Sequence, residues 1–319
     1  MINLSKEIQS AKTIGISGHV RPDGDCVGST MALYLYIRKT RPDVDVRIFL
    51  EKPADIFNCI KNVDKIEDAK DCDASFDVFF CVDTVKDRLG DAEKLFDNAK
   101  LTINIDHHVT NPGCGDYNYI VPDASSASEL VYDLLDKSFL DEEIAKAIYI
   151  GIIHDTGVLQ YSCTSQKTLE IAGKLISFGF DFSKIIEETF YQKTYLQTQI
   201  LGRALLESFL VMDKKVSISC VDHKMMDFYD AKPHDLEGIV NQLRNITGVD
   251  VAVFLHETAP LEYKVSLRSN GIIDVSKVCE YFGGGGHVRA AGCTVNGNFY
   301  DVVNNITARI EALYKERKL

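Results

Sequence analysis

The chain has 319 residues, of which 45% are hydrophobic and 26% charged, a balance typical of a folded globular protein and unlike that of disordered, collagen-like or coiled-coil chains. This length favours two domains over one. The formal charge of −12 at pH 7 disfavours binding to long duplex nucleic acid, because an acidic surface repels a polyanion.

The chain opens MINLSKEIQSAKTIGISG, which lacks a basic segment followed by an apolar one, and no apolar run approaches the roughly 20 residues of a membrane helix. Its nine cysteines form no C-x-x-C pair and lie largely in apolar segments such as FFCVD and VSISCV, as buried free thiols do. We therefore expect a cytoplasmic protein with no membrane partner and no disulfide framework.

The first half of the chain alternates short apolar runs with helical patterns, which is typical of a parallel sheet with crossover helices. Residues 1–188 are therefore predicted to form an α/β domain with helices on both faces of the sheet. Strands are predicted at 13–18, 46–50, 76–83 and 101–108, and helices at about 26–38, 125–136, 142–153 and 166–178.

Residues 189–208 carry a helical pattern and are predicted to form a helical connector. After it, we expect a smaller α+β domain over 209–319. It should contain a strand at 216–221, a helix at 234–246, paired strands at 249–257 and 261–269, a short helix, a glycine run and a final helix from Tyr300 onward.

The segment GHVRPDGDCVGS (18–29) places His19, Asp23 and Asp25 at the end of the first predicted strand. Open parallel sheets bind ligands at the carboxyl ends of their strands. One imidazole and two carboxylates on a bent loop can converge on a divalent cation. The alternative is a polar turn in which an Asp caps the following helix, and this segment alone leaves both interpretations open.

Three further strand or helix ends carry the same residue types. Asp83 ends FFCVD, Asp106, His107 and His108 end LTINIDHH, and His154 and Asp155 end IGIIHD. A single acid at a strand end is common, but four such ends in one domain favour a metal site over structural chance. His154 is either a group that supports a ligand or a packed side chain, while Cys26 and Cys81 are predicted to be small packing residues.

The ordered series H-x-x-x-D-x-D, D-T, D-H-H, H-D-T-G and G-G-G-G-H resembles the DHH phosphoesterases that carry a DHHA1 domain. Within them, the chain is similar to the group of bifunctional oligoribonucleases and 3′-phosphoadenosine 5′-phosphate (pAp) phosphatases. The resemblance implies a hydrolase whose partners are short oligoribonucleotides, linear dinucleotides and pAp.

The resemblance also implies two bound metal ions. Oxygen-rich sites with few imidazoles and no thiolate suit Mn²⁺, with Mg²⁺ or Co²⁺ as alternatives. Two such ions can activate a water for displacement at phosphorus. By resemblance, His19, Asp23 and Asp83 hold one ion, Asp25, Asp83, His107 and Asp155 hold the other, His108 faces the scissile phosphate, and Asp106 orients the neighbouring imidazole.

The second domain contains the run GGGGHVRAAG (283–292), whose backbone N–H groups are unobstructed and could cradle an anion, and the segment SLRS, whose arginine can grip a phosphate with two hydrogen bonds. Neither a P-loop nor a dinucleotide-binding glycine motif follows a strand. The substrate contacts implied by resemblance are Arg268, Gly284, Gly285, Gly286, His287 and Arg289.

Three other functions are weighed against this one. A manganese-dependent pyrophosphatase would share the metal motifs, but it carries a basic Ser-Arg-Lys-Lys-Gln element that is missing from this sequence. A single-strand exonuclease would bind a longer polyanion against an adverse net charge. A nucleotide-binding regulatory module would require a degenerate metal centre, whereas every expected ligand position is filled. A homodimer is left open.

Overall fold

The computed structural model describes residues 4–317. Internal packing divides the chain into two compact units, Met1–Gln192 and Lys193–Leu319. The sequence-derived division into 1–188, 189–208 and 209–319 stays a prediction, and its extreme ends (1–3, 318 and 319) lie outside the described residues.

The first unit contains a six-stranded, fully parallel sheet in the order β3-β2-β1-β4-β5-β6. Strand β4 reads VFFCV and is buried at every position, because parallel sheets are covered on both faces. Val78 and Phe80 pack on one face, whereas Phe79 and Cys81 pack on the other. The strands are β1 (Thr13–Ser17), β2 (Asp45–Phe49), β3 (Ile66–Glu67), β4 (Val78–Val82), β5 (Thr102–Asp106) and β6 (Tyr117–Ile120).

Helices cover both faces of this sheet. The larger core lies on the face of the long second and fifth helices, and a smaller one built around Phe79 and Phe96 lies on the opposite face. The helices are α1 (Leu4–Glu7), α2 (Gly24–Thr40), α3 (Glu93–Asp97), α4 (Ala127–Leu134), α5 (Glu142–Asp155), α6 (Gln166–Ile176) and α7 (Phe182–Ile186). The α/β class predicted from the alternating pattern is confirmed.

Strands β1 and β4 are neighbours in this sheet, although β2 and β3 lie between them in the chain. The chain leaves β1 toward one edge and leaves β4 toward the other, so a crevice is expected at their carboxyl ends. His19 follows β1 and Asp83 follows β4 at this point. The topology therefore brings together residues that are 64 positions apart (83 − 19).

The second unit contains a mixed six-stranded sheet in the order β11-β12-β10-β9-β8-β7. Its pairings are antiparallel except for the parallel pair of β8 and β9. The strands are β7 (Phe209–Val211), β8 (Val216–Val221), β9 (Val251–Ala259), β10 (Glu262–Ser269), β11 (Gly285–His287) and β12 (Ala290–Asn296).

Two apolar clusters lie on opposite faces of this second sheet. In one cluster, Val265 and Leu267 pack against the two helices nearest the C-terminus. In the other, Ala252 and Phe254 pack against the three helices that precede them in the chain. The helices are α8 (Tyr195–Leu206), α9 (His223–Tyr229), α10 (Ile239–Arg244), α11 (Val275–Tyr281) and α12 (Phe299–Glu316). The smaller α+β unit expected after the connector is confirmed.

Several elements differ from the sequence prediction. Strands β3, β6, β7 and β12 were not predicted, since they are short, exposed or carry Gly and Asn. The helical pattern after residue 181 is interrupted at 192–194, where Thr194 caps α8 through its side chain. The second half of the glycine run, Gly285 and Gly286, forms edge strand β11 together with His287. Within residues 4–317, no helix is long and apolar enough to cross a bilayer.

Gly28 lies where α2 packs closely on α5. A Cβ at this position would lie 2.6 Å from the Ala147 carbonyl oxygen and 2.7 Å from the Gly151 nitrogen. Because backbone atoms cannot move aside, we expect Gly28→Ala to lower the free energy of unfolding by about 1–3 kcal/mol in urea denaturation. Gly173→Ala in α6 is the control, since no described atom lies within 4 Å of a Cβ there. It should be neutral or stabilising by up to about 1 kcal/mol, and equal losses in both variants would contradict the packing argument.

Candidate functional site

Asp83 is the central residue of the candidate site. Its backbone φ of 62° lies in the left-handed region, which Asp tolerates better than most residues. The side chain is buried, and within the described chain its Oδ1 has no hydrogen-bond partner. Its Oδ2 lies 3.6 Å from His19 Nε2, and its Oδ1 lies 3.5 Å from His107 Nε2. A buried carboxylate held in this way needs a cation, because its desolvation is otherwise uncompensated.

The imidazole of His19 is oriented by its own loop. Its Nδ1 lies 2.9 Å from the Val20 carbonyl oxygen, so Nδ1 carries a proton and Nε2 faces Asp83. Asp23 Oδ1 lies 3.6 Å from the same Nε2. That oxygen also accepts the N–H groups of Asp25 and Cys26 as the N-cap of α2. Both interpretations of Asp23, helix cap and metal ligand, are therefore compatible with its position.

Asp25, His107 and Asp155 form a second group on the other side of Asp83. Ligand atoms of these three residues lie within 4.8 Å of one another. His107 Nε2 is 3.2 Å from Asp155 Oδ2 and 3.9 Å from Asp25 Oδ2. Asp25 is fully buried, and its two oxygens accept the N–H groups of Ala127 and Ser128 in the first turn of α4. This helix N-terminus stabilises the negative charge, and no motif in the sequence predicted its position.

Cys26 Sγ also lies within 4.8 Å of ligand atoms of His19 and Asp83. Its thiol donates to the His19 carbonyl oxygen at 3.9 Å. Burial raises the pKa of this thiol well above its usual value, and the carboxylates of Asp83 and Asp23 raise it further. The cysteine therefore keeps its proton, consistent with its prediction as a packing residue.

Asp106 holds the segment that carries the two histidines. Its Oδ1 accepts the backbone N–H groups of His107 and His108 and lies 2.7 Å from His108 Nδ1. Its Oδ2 accepts the side-chain amide of Asn111, which also donates to Asn104. Asp106 thus fixes the ring of His108 and the backbone of His107. Sequence reasoning missed the two asparagines, although Asn104 is detectable as a polar residue inside an apolar strand.

The charges of this cluster shift the pKa values of its members. Burial lowers the pKa of His19, but Asp23 and Asp83 outweigh it and raise the value to about 10. Burial likewise opposes a rise at His107, where Asp83, Asp25 and Asp155 raise the pKa to about 10. Burial and the charge of Asp83 raise the pKa of Asp25 to about 7, and burial with Asp25 raises that of Asp155.

A site with this concentration of negative charge fits divalent cations. The orphaned Asp83 oxygen and the oxygen and imidazole donors around it are ligands that such ions accept. Four carboxylates, those of Asp23, Asp25, Asp83 and Asp155, match the charge of two dications. The structure therefore brings the six predicted metal ligands of the first unit, together with Asp106 and His108, into one acidic group able to bind metal.

The sequence of the chain matches the models of two known protein families. Residues 13–152 match the DHH family, N-terminal domain, and residues 213–316 match the DHHA1 domain. The chain is a DHH phosphoesterase with a DHHA1 domain. The resemblance found in the sequence motifs is confirmed, and with it the assignment to hydrolases.

The relatives of this DHH phosphoesterase cover nearly its whole length. It is 29% identical over 320 residues to a Streptococcus mutans protein named probable bifunctional oligoribonuclease and PAP phosphatase NrnA, covering 98% of this chain and 96% of the relative. It is 27% identical to the Bacillus subtilis protein of the corresponding name, covering 99% of each. A solved exopolyphosphatase-related protein from Bacteroides fragilis has a TM-score of 0.89 and 26% identity, covering 98% of this chain and 95% of that one.

His154 of the DHH phosphoesterase precedes Asp155 but has a different environment. Its Nε2 lies 3.1 Å from Thr189 Oγ1, which in turn donates to the Ile185 carbonyl oxygen. The ring packs between Phe57 and Phe190, with centroid distances of 5.2 and 5.6 Å. Of the two interpretations left open by the sequence, these contacts favour a packed side chain.

The predicted substrate residues of the second unit lie on β10, β11 and the turn to β12. Arg268 is paired with Ala290, and Ala290 is paired with His287, so the three form one row across the sheet. Gly284 and Gly286 have a packing reason to be glycine, because a Cβ at either position would overlap β12. Gly285 has no such reason, since no described atom lies within 4 Å of its Cβ position. The Arg289 side chain lies against Gly271.

The pKa shifts predict a pH-dependent effect of metal on stability. The folded-state pKa values of His19 and His107 are raised from 6.5 to about 10, so the stability they contribute is lost as pH rises between these values. The pKa of Asp25 is raised from about 4 to about 7, so the stability that this group contributes is likewise lost as the pH rises between these values. We expect the Tm of chelator-treated protein to fall from about pH 6 to about pH 9.

Cations compete with these protons, so the Tm increase caused by added Mn²⁺ should grow over the same pH range. Differential scanning fluorimetry at constant ionic strength measures both quantities. A Tm increase that stays constant or shrinks with pH would contradict the assignment of these protons to the metal site.

Proposed function

We propose that this DHH phosphoesterase hydrolyses very short RNA oligonucleotides and linear dinucleotides and removes the 3′-phosphate of pAp. The observation that carries the proposal is the buried Asp83 carboxylate between the imidazoles of His19 and His107. The substrate class is supported by relatives named oligoribonuclease and PAP phosphatase, which align with nearly the whole chain.

We propose two Mn²⁺ ions as the resident metals. His19, Asp23 and Asp83 would hold one, and Asp25, Asp83, His107 and Asp155 the other. Carboxylate-rich sites with imidazoles suit Mn²⁺, and Mg²⁺ or Co²⁺ are the alternatives. When bound, such ions supply Lewis-acid polarisation of a phosphoryl group and activation of water.

His108 would hold a proton toward the substrate. Its Nδ1 bonds Asp106, so Nε2 is the nitrogen left to face a phosphoryl oxygen. The same carboxylate raises the pKa of His108, which favours the imidazolium form. An imidazolium fixed in orientation by a buried carboxylate can stabilise developing negative charge without reorganising. Asp106 thereby acts as a positioning residue, and His108 as the catalytic group.

Arg268 and His287 would bind a substrate phosphate. They flank Ala290 on the same side of the sheet, because residues paired across antiparallel strands point to the same face. The guanidinium can form two parallel hydrogen bonds to a phosphate. Gly284, Gly285, Gly286 and Arg289 are proposed as further contacts, with Arg289 the weakest because its side chain also packs on Gly271.

The net charge of −12 supports short substrates over long duplexes, because only local groups can offset the general repulsion. A pyrophosphatase is disfavoured because pyrophosphate has no nucleoside for the second unit to bind. The cytoplasmic location expected from the sequence remains part of the proposal.

Turnover of a substrate panel tests the proposed function. With Mn²⁺, we expect pAp, the dinucleotide pApA and an RNA pentanucleotide to be hydrolysed, and a twenty-nucleotide RNA and pyrophosphate to react much more slowly. Asp83→Asn preserves the left-handed backbone that Asn tolerates, and it should reduce turnover by at least about 10³-fold while lowering bound Mn²⁺.

The exposed neighbour Asp87 provides the control for this variant. Asp87→Asn should keep wild-type turnover and metal content. Full activity of Asp83→Asn, or pyrophosphate as the best substrate, would refute the proposal. Nucleotide binding without turnover in the wild type would point instead to the regulatory module.

Arg268 provides a second test, because a bidentate contact depends on the fork of the guanidinium as well as on its charge. We expect Arg268→Ala and Arg268→Lys each to raise KM for pApA by about 10-fold or more, with Mn²⁺ content unchanged. Arg38→Lys, at an exposed position in the last turn of α2, is the control and should resemble wild type. A wild-type KM in Arg268→Lys would show that only the positive charge of Arg268 matters. Loss of Mn²⁺ from either Arg268 variant would show that Arg268 does more than bind substrate.

A further inference from the structure

The sheet of the second unit has an open half on one face. Helices α8, α9 and α10 cover this face over β8 and β9, where Ala252 and Phe254 are buried, and α10 also approaches β10. Further along the face, over β10, β12 and β11, the residues are half-buried or exposed. We call this area the shelf; its residues are Lys264, Ser266, Arg268, Gly285, His287, Ala290, Gly292 and Thr294.

Strand register arranges the shelf in three parallel rows. The first is Arg268, Ala290 and His287, already proposed to bind a phosphate. On β10, β12 and β11 the second row consists of the small residues Ser266, Gly292 and Gly285, which form a flat floor beside the buried Phe254 of β9. The third pairs Lys264 with Thr294 on one side and with His256 of β9 on the other. Successive rows are about 6.7 Å apart, because two residues separate them along a strand.

His256 in the third row is a largely buried polar side chain whose ring nitrogens reach solvent. Its exposed fraction is 8%, its ring makes no hydrogen bond to a described residue, and neither ring nitrogen is one of the fully buried atoms that lack a partner. Burial lowers its pKa, and the nearby charges of Lys264 and His223 lower it further. The adjacent acid in sequence, Glu257, points to the other face of β9 and accepts the His223 backbone N–H.

We propose that Lys264 and His256 form a second phosphate-binding subsite, which contacts an oligonucleotide beyond the phosphate held by Arg268 and His287. An anion there would accept the N–H of His256 and pair with the ammonium of Lys264, its neighbour across the strand pair. Four residues along β10 separate Lys264 from Arg268, a distance of about 13 Å, or roughly two nucleotide steps of an extended single strand.

This subsite rests on the proposed function and defines its substrate class more closely. A dinucleotide is too short to reach from the first row to the third, whereas a pentanucleotide can span both. Gly285 lies in the row between these two phosphate positions. No described atom lies within 4 Å of its Cβ position, so there is room for a nucleoside above the floor. The subsite therefore acts on oligonucleotides of about three to five residues and has no effect on pAp or pApA.

Lys264→Ala separates the two substrates experimentally, and the exposed position of Lys264 makes a folding defect improbable. We expect KM for an RNA pentanucleotide to rise about 5-fold, and its salt dependence to weaken by about 0.7 in the log–log slope, as one phosphate contact is lost. KM for pApA should stay within about 2-fold of wild type, and kcat should be unchanged for both substrates. Lys264→Arg should restore pentanucleotide binding by retaining the charge.

Lys277→Ala is the matched control, since this exposed lysine lies on α11 at the opposite face of the sheet. It should leave both KM values unchanged. Equal KM changes for the two substrates in Lys264→Ala, or none for the pentanucleotide, would overturn the subsite while the proposed function stands. Failure of the wild type to hydrolyse pApA would instead refute the proposed function, and the subsite with it.

Discussion

The first unit depends on one electrostatic constraint: four carboxylates lie close together, and the buried Oδ1 of one of them, Asp83, has no hydrogen-bond partner within residues 4–317. Asp83 cannot leave this position, because its backbone follows a buried strand and its N–H bonds to Ile105 of β5. Protein groups offset the charge only in part, through the α4 N–H groups on Asp25 and the protons held by His19 and His107. Negative charge therefore remains uncompensated at the carboxyl ends of β1 and β4, and bound cations are needed to offset it.

Much of the surrounding architecture serves to keep these charges close together. Gly28 lets α2 approach α5, so that Asp25 at the start of one helix and Asp155 at the end of the other face the same imidazole. The asparagines at 104 and 111 anchor the loop of β5 by bonding Asp106 and neighbouring carbonyl oxygens. Like charges at this separation repel, so the rigidity of these contacts is needed whenever the cations are removed.

The sequence was most informative where chemistry and secondary structure coincide. Acids and histidines that end apolar runs predicted which side chains of the first unit lie close together, because parallel strands share one carboxyl edge. The sequence was less informative where tertiary contacts decide the structure. Nothing local predicts that the α4 N-terminus meets Asp25, or that the last two of four consecutive glycines begin an edge strand. The hydrophobic patterns of β3, β6, β7 and β12 are too weak to predict these strands from the sequence, and each forms by pairing with a neighbouring strand.

The two units handle charge in opposite ways, and this contrast bears on substrate length. The first concentrates carboxylates that attract metal ions and would repel a bare phosphate. The shelf of the second concentrates basic groups around a floor of small residues, against a net charge of −12 for the whole chain. A polyanion gains favourable phosphate contacts at these few positions and is repelled by the rest of the negatively charged surface. Each nucleotide beyond the shelf therefore adds electrostatic repulsion and no favourable contact. The proposed preference for short oligonucleotides follows from this arrangement, because such substrates present only a few phosphates and the basic positions of the shelf are also few.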